Sequence, residues 1–181
     1  MLLDTPTCDF GWKAPSFELP DADGKLHKLE DYVGDNGVLV AFICNHCPYV
    51  IAIIDRLVED AKVLQAEGVN VLAVMSNDYV SYRDDSPKNM KIFAEEHGLP
   101  FPYLVDETQE VARAYDAVCT PDFFGFNKDL QLQYRGRLDD AKMNDASNRT
   151  AELLDAMRLV AQTDKGPQDQ TPSMGCSIKW K

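Results

Sequence analysis

A chain of 181 residues with 45% apolar and 9% aromatic side chains is long enough to bury one ordinary core and too apolar to stay disordered. Its formal net charge of −12 repels phosphate backbones and anionic headgroups, which argues against nucleic-acid and membrane-surface partners. The longest apolar run, residues 37–44, is strand-sized, and residues 1–5 carry no basic stretch leading into an apolar one. The expectation is therefore a cytoplasmic protein with no signal peptide.

Residues 1–13 show no periodicity. Residues 14–20 alternate apolar and polar as a short strand does, the Asp21-Ala22-Asp23-Gly24-Lys25 run has turn chemistry, and residues 26–29 read as the return strand of a hairpin. Residues 38–43 are continuously apolar, which predicts a strand covered on both faces. A helical stripe follows over residues 50–65, with Pro48 suited to its first turn and Gly68 beyond its end. Residues 69–75 predict a second buried strand. Ser86 and Pro87 predict the N-cap and first position of a helix running through Glu96. A short strand over 103–105, a helix over 107–117, a strand over 120–126 and an alternating partner over 130–135 come next. A last helix spans 150–162, and residues 163–181 read as a mostly polar tail. Strands alternating with helices predict an α/β chain with a parallel centre, to which the late hairpin adds antiparallel strands. No linker divides it, so one domain over 1–181 is expected, with a core over about 12–162.

The five cysteines are Cys8, Cys44, Cys47, Cys119 and Cys176. An odd number in a chain of this length points away from a disulfide framework and toward catalysis or metal binding. The Cys44-Asn45-His46-Cys47-Pro48 run falls where a buried strand meets a helix. Its spacing lets two sulfurs approach within one turn. The free N–H groups of a helix start favour a thiolate there, and the thiolate is the nucleophile. The competing readings are two packed hydrophobic cysteines and a soft metal site using Cys44, His46 and Cys47, with Cys119 in reserve. His46 is placed to share a proton with either sulfur. Cys119 reads equally as a redox participant or a packed residue, Cys176 equally as a resolving thiol or a free thiol on the tail, and Cys8 as incidental. His27 and His97 are expected at the surface. Asp139 and Asp140 are expected to form a solvated acidic face, Tyr49 to pack, and Phe123, Phe124 and Phe126 to lie in the core.

Several runs carry a resemblance. They are Ala14-Pro15, Phe17, Leu19-Pro20-Asp21 and Gly24, then residues 38–42, then Cys47-Pro48, then Thr120-Pro121 with Phe124, Phe126 and Lys128-Asp129. Their order is similar to that of the thioredoxin superfamily. The Cys44-to-Val50 run and the Gly175-to-Lys181 ending resemble its peroxiredoxin-like, redoxin-domain branch, related to alkyl hydroperoxide reductase and thiol-specific antioxidant (AhpC/TSA). The resemblance implies a thioredoxin-like fold with a central mixed sheet flanked by helices and an N-terminal β-hairpin extension. It implies a thiol-disulfide oxidoreductase, an antioxidant thiol peroxidase of low efficiency being the alternative. No cofactor is implied. The partners implied are protein or small-molecule disulfides or peroxides and a thiol reductant. Carried over residue by residue, Pro121 is the cis-proline facing the active cysteines. Thr120 and Cys119 then come near Cys47, with backbone able to pair with a substrate peptide. Aligning by strand length makes Cys47 the first active cysteine, whereas aligning by spacing makes it Cys44. Strand length and Pro48 favour Cys47 as attacking thiolate and Cys44 as resolving thiol. The peroxiredoxin pattern also has a threonine where this chain has Cys44, and an arginine near Thr120-Pro121 that Arg113, Arg135 and Arg137 do not match.

Overall fold

A computed structural model describes residues 1–181. The central sheet has five strands, in the order β6 (Tyr103–Val105), β5 (Val69–Met75), β4 (Gly37–Phe42), β8 (Asp122–Phe126), β9 (Leu132–Tyr134). The β4–β5 and β5–β6 pairs are parallel and the β4–β8 and β8–β9 pairs antiparallel, so the sheet is mixed in the thioredoxin-like way. Every residue of β4 is buried. Leu39 and Ala41 pack on one face against α2 (Ile54–Ala66), α3 (Pro87–His97) and α5 (Glu152–Thr163). Val38, Val40 and Phe42 pack on the other face with Phe17, Leu29 and Tyr115, the last on α4 (Glu110–Tyr115). Burial on both faces is why β4 and β5 read as unbroken apolar runs rather than alternating ones.

The expected N-terminal hairpin is present as β2 (Glu18–Pro20) and β3 (Leu26–Lys28), turned by Gly24 at φ +84. Ser86 caps α3 by accepting from the Asn89 N–H, and Gly98 closes that helix in the left-handed region. Three boundaries differ from the sequence reading. The helix expected over 50–65 is split into α1 (Pro48–Ile51) and α2. The Ile53 N–H bonds the Val50 carbonyl in a tight turn, and the Ala52 carbonyl accepts from the Arg56 guanidinium at 2.9 Å. The helix over 107–117 begins only at Glu110, because Gln109 and Asp116, both at positive φ, bracket it. The strand over 120–126 breaks at Pro121, which has no N–H to donate, into β7 (Cys119–Thr120) and β8.

The segment expected to be a polar tail is built into the fold. Met174–Ser177 forms β10, the centre of a three-stranded antiparallel sheet between β1 (Leu2–Asp4) and β7. Neither β1 nor β10 has local periodicity, and each exists through its partner. Gly175 makes the β10–β7 approach possible, since a Cβ there would stand 1.9 Å from the Thr120 carbonyl oxygen.

Candidate active site

Strand β4 delivers the chain to the C-terminal edge of the parallel strands, where residues 43–47 form a short loop before α1. Cys47 is the N-cap of α1 and Pro48 its first residue. The peptide bond between Thr120 and Pro121 is cis, as the resemblance implies. Thr120 touches both sulfurs: its hydroxyl lies 3.4 Å from Cys44 Sγ, and its carbonyl oxygen lies 3.3 Å from Cys47 Sγ, a hydrogen bond only while Cys47 is protonated. The fold thus brings Cys44, Cys47, Thr120 and Pro121 to one place, with both cysteines only 1% exposed.

The two thiols are not equivalent. The hydrogen bond from Cys44 is the first cause that brings the Cys47 thiol down from 9.0 to about 4, against the opposing effect of burial. The same bond, reinforced by burial and the Asp85 charge, holds Cys44 well above the ordinary thiol range. One proton is in effect kept on Cys44 and shared toward a Cys47 thiolate. The Cys176 amide adds a donor to that sulfur. The Val50 amide contributes less, being committed to the Cys47 carbonyl at 3.0 Å. The helix start is therefore a secondary influence, and α1, four residues long, has little dipole to offer.

Behind Cys44 stands a carboxylate that the sequence reading passed over. Asp85 is fully buried, accepts from the Asn45 N–H at 2.8 Å and from Asn77 Nδ2 at 2.9 Å, and lies 2.7 Å from His46 Nδ1. The His46 nitrogen is close to Asp85 but off the line of a good hydrogen bond, so it stays unsatisfied. His46 thus faces Asp85, with its ring stacked parallel to Tyr82. Cys44 Sγ, a His46 ring nitrogen and an Asp85 oxygen all lie within 4.8 Å of one another. The donor set that could hold a metal is therefore Cys44, His46 and Asp85 rather than Cys44, His46 and Cys47. A cation there would compete with the proton on Cys44 and with the two N–H donors on Asp85. The available signal for Asp85 was its place after the polar loop that ends β5, beside the catalytic edge of a parallel sheet.

Cys119 is fully buried with its thiol turned 3.7 Å toward the Pro121 carbonyl, and burial pushes that thiol up. Cys8 is half-buried, and burial pushes its thiol up to about 11. Cys176 lies opposite Thr120 in the β10–β7 pair. That pairing occupies the Cys119–Thr120 edge, so the expected place for a substrate peptide is taken by the chain's own β10. A cavity of about 280 Å³ on the Pro121 side of α1 is lined by Tyr49, Ile53, Pro121 and Leu138 together with Asp4, Arg137, Asp139 and Lys142. Arg135 is locked to Asp122 at 3.0 Å and to the Asp116 carbonyl at 2.9 Å. Its guanidinium is spent on a structural pair, and burial still lifts Asp122 to about 6. Two other surface expectations are corrected. His27 is buried between Asp21 and Tyr32, and Asp139 is buried and paired with Arg56 at 2.7 Å. His97 meets Asp55 at 3.0 Å on the outside.

Residues 10–135 match the AhpC/TSA family. The thiol-disulfide oxidoreductase ResA of Geobacillus thermodenitrificans is 33% identical over 124 residues, covering 68% of this chain and 66% of ResA, so the match spans just under two thirds of that relative. The crystal structure of an uncharacterized conserved protein from Geobacillus kaustophilus superposes with a TM-score of 0.94 at 45% identity, over 100% of this chain and 97% of the other. The thioredoxin domain of a thiol-disulfide oxidoreductase from Bacteroides vulgatus superposes with a TM-score of 0.59 at 19% identity. It covers 70% of this chain and 86% of its own, a likeness of fold alone.

Proposed function

The chain belongs to the AhpC/TSA family of thiol oxidoreductases, and from that premise we propose that it is a thiol-disulfide oxidoreductase working through Cys47 and Cys44. The observation that carries the reading is the asymmetric thiol pair, with Cys47 lowered to about 4 and Cys44 kept protonated beside it. In the reduced protein the Cys47 thiolate attacks a substrate disulfide, forms a mixed disulfide and releases one thiolate. The anion that held the Cys44 proton is then gone. That proton passes toward the Asp85–His46 pair, and Cys44 attacks Cys47 and expels the second substrate thiol. Thr120 positions both sulfurs, Pro121 shapes the wall beside them, and Cys119 packs beneath.

The burial of both sulfurs and the covered β7 edge favour a small disulfide over an extended polypeptide, with its substituent in the cavity beside Pro121. The same burial favours a hydroperoxide as a second substrate, since a small oxidant reaches Cys47 most easily. Such peroxidase activity is slow, because Arg135 is bound to Asp122 and unavailable to polarise the peroxide. The physiological reductant is a thiol. The test is turnover of a small disulfide with a thiol reductant. Cys47→Ser abolishes it, and Cys44→Ser slows it by removing the first resolving thiol. Full turnover by Cys47→Ser overturns the assignment.

A further inference from the structure

Two of the other four cysteines, Cys44 and Cys176, bear on the Cys47 sulfur. β10 lies antiparallel to β7 with Cys176 opposite Thr120, the residue whose carbonyl and hydroxyl touch Cys47 and Cys44. The Cys176 amide lowers the Cys47 thiol and the Cys47 sulfur in turn raises the Cys176 thiol, so each bears on the other's charge. Cys176 also packs against the core cluster that contains Cys44 and Cys47.

β10 is held at both ends. Before Cys176, the Ser173 hydroxyl donates to the Pro121 carbonyl at 2.7 Å, and the Ser173 N–H donates to Thr5 Oγ1 at 3.0 Å. After it, Ile178 is buried in the second core, and the Lys179 N–H donates to Asn77 Oδ1 at 2.9 Å. Arg113 stacks over the Trp180 ring at 4.4 Å. Asn77 is the same side chain that donates to Asp85, so the C-terminal segment and the site share one polar network. Cys44 and Cys47 are sealed from solvent, whereas Cys176 is partly exposed. Of the three, it is the most exposed to an outside thiol.

We propose that Cys176 is a third redox thiol, the exit through which the Cys44–Cys47 disulfide is passed outward and reduced. The proposal rests on Cys47 being the reactive cysteine. Cys176 attacks the Cys47 sulfur of the Cys44–Cys47 disulfide. The Cys47–Cys176 bond forms, the Cys44–Cys47 bond breaks, and Cys44 leaves carrying the proton that Cys176 gives up, with no net change in oxidation. An external dithiol then attacks the exposed Cys176 sulfur and closes to its own disulfide. Its two electrons and two protons restore the Cys47 and Cys176 thiols. The reduced site restrains this step, since burial and then the Cys47 thiolate hold Cys176 protonated. Once Cys47 is in a disulfide, the part of that restraint due to its thiolate is gone and the part due to burial remains.

The test is to oxidise Cys44→Ser protein with glutathione disulfide and map the products by mass spectrometry under non-reducing conditions. Cys44→Ala serves as a second variant should the serine disturb the buried loop. The expected product is a Cys47–Cys176 cross-link with complete loss of glutathione from Cys47. A stable glutathione adduct on Cys47 with a free Cys176 thiol overturns the exit route and leaves the Cys47 assignment intact. A Cys47 that stays a free thiol in both variants and in the unmodified chain overturns both. In the unmodified background, Cys176→Ser slows reduction of the oxidised protein by a dithiol about tenfold or more, the loss expected when an intramolecular attack becomes a bimolecular one. An unchanged rate also contradicts the proposal.

Discussion

Replacing Cys44 with alanine removes the donor that ranks first among the causes lowering the Cys47 thiol from 9.0 to about 4. A hydrogen bond to a charged group contributes about 1.5–3 kcal/mol, and each pKa unit corresponds to about 1.36 kcal/mol, so the Cys47 midpoint should rise by about one to two units. The remaining depression comes from the Cys176 and Val50 amides, which the substitution leaves in place. The assay follows the ultraviolet absorbance of the thiolate between acid and neutral pH, with Cys47→Ser as the blank. At neutral pH both proteins carry the thiolate, so the difference shows only on the acid limb. A midpoint that does not move in Cys44→Ala refutes the shared-proton account and assigns the depression to the backbone donors. An unmodified chain titrating near 9.0 refutes the reactive-thiolate assignment altogether.

The thiolate also makes stability depend on redox state. Cys47 is lowered on folding, so its contribution is absent below about pH 4, grows above it and is complete at the unfolded value near 9.0. Oxidation to a disulfide removes that contribution. The reduced protein should melt above the oxidised one at neutral pH, with the gap closing as pH falls toward 4, as scanning calorimetry at several pH values will show. Gly175→Ala places a Cβ 1.9 Å from the Thr120 carbonyl oxygen. It should detach β10, seen as fast amide exchange over residues 174–181 and loss of the Cys47–Cys176 cross-link, while the central sheet stays protected. Arg149→Ala leaves the buried Asp60 and Asp139 carboxylates short of a partner and should cost about 3–5 kcal/mol by denaturant titration. Asp85→Asn keeps the shape but removes the carboxylate beside Cys44. It should leave the first attack intact and make the mixed disulfide on Cys47 accumulate, visible as a slow second phase in stopped-flow kinetics.

The parts of this fold legible in the sequence are those whose pattern is local. The unbroken apolar runs of β4 and β5, the Ser86-Pro87 start of α3 and the Gly98 end each announce themselves within a few residues. Cys44, Cys47 and Pro121 were legible for the same reason, as a spaced pair at a strand end and a proline after threonine. What stayed hidden depends on pairing across the chain. β1 and β10 are three and four residues long and are strands only through distant partners, β1 beside β10 and β10 between β1 and β7. Cys176 looked like a tail thiol because nothing near it in sequence says that residue 120 is its neighbour. Asp139 looked solvated because its arginines, Arg56 and Arg149, lie elsewhere in the chain. Asp85 looked like one of many acidic residues in a chain of net charge −12, and only burial against Asn45, Asn77 and His46 distinguishes it.

The central claim is that Cys44 and Cys47 form one two-electron couple. Equilibration of the protein across a series of glutathione buffers, with acid quenching and disulfide mapping at each point, tests it most directly. The account predicts a single two-electron transition in which Cys44 and Cys47 lose their thiols together, a transition absent in Cys47→Ser. Free thiols at both positions throughout the series, or a Cys47 oxidised while Cys44 and Cys176 both stay free, contradicts it.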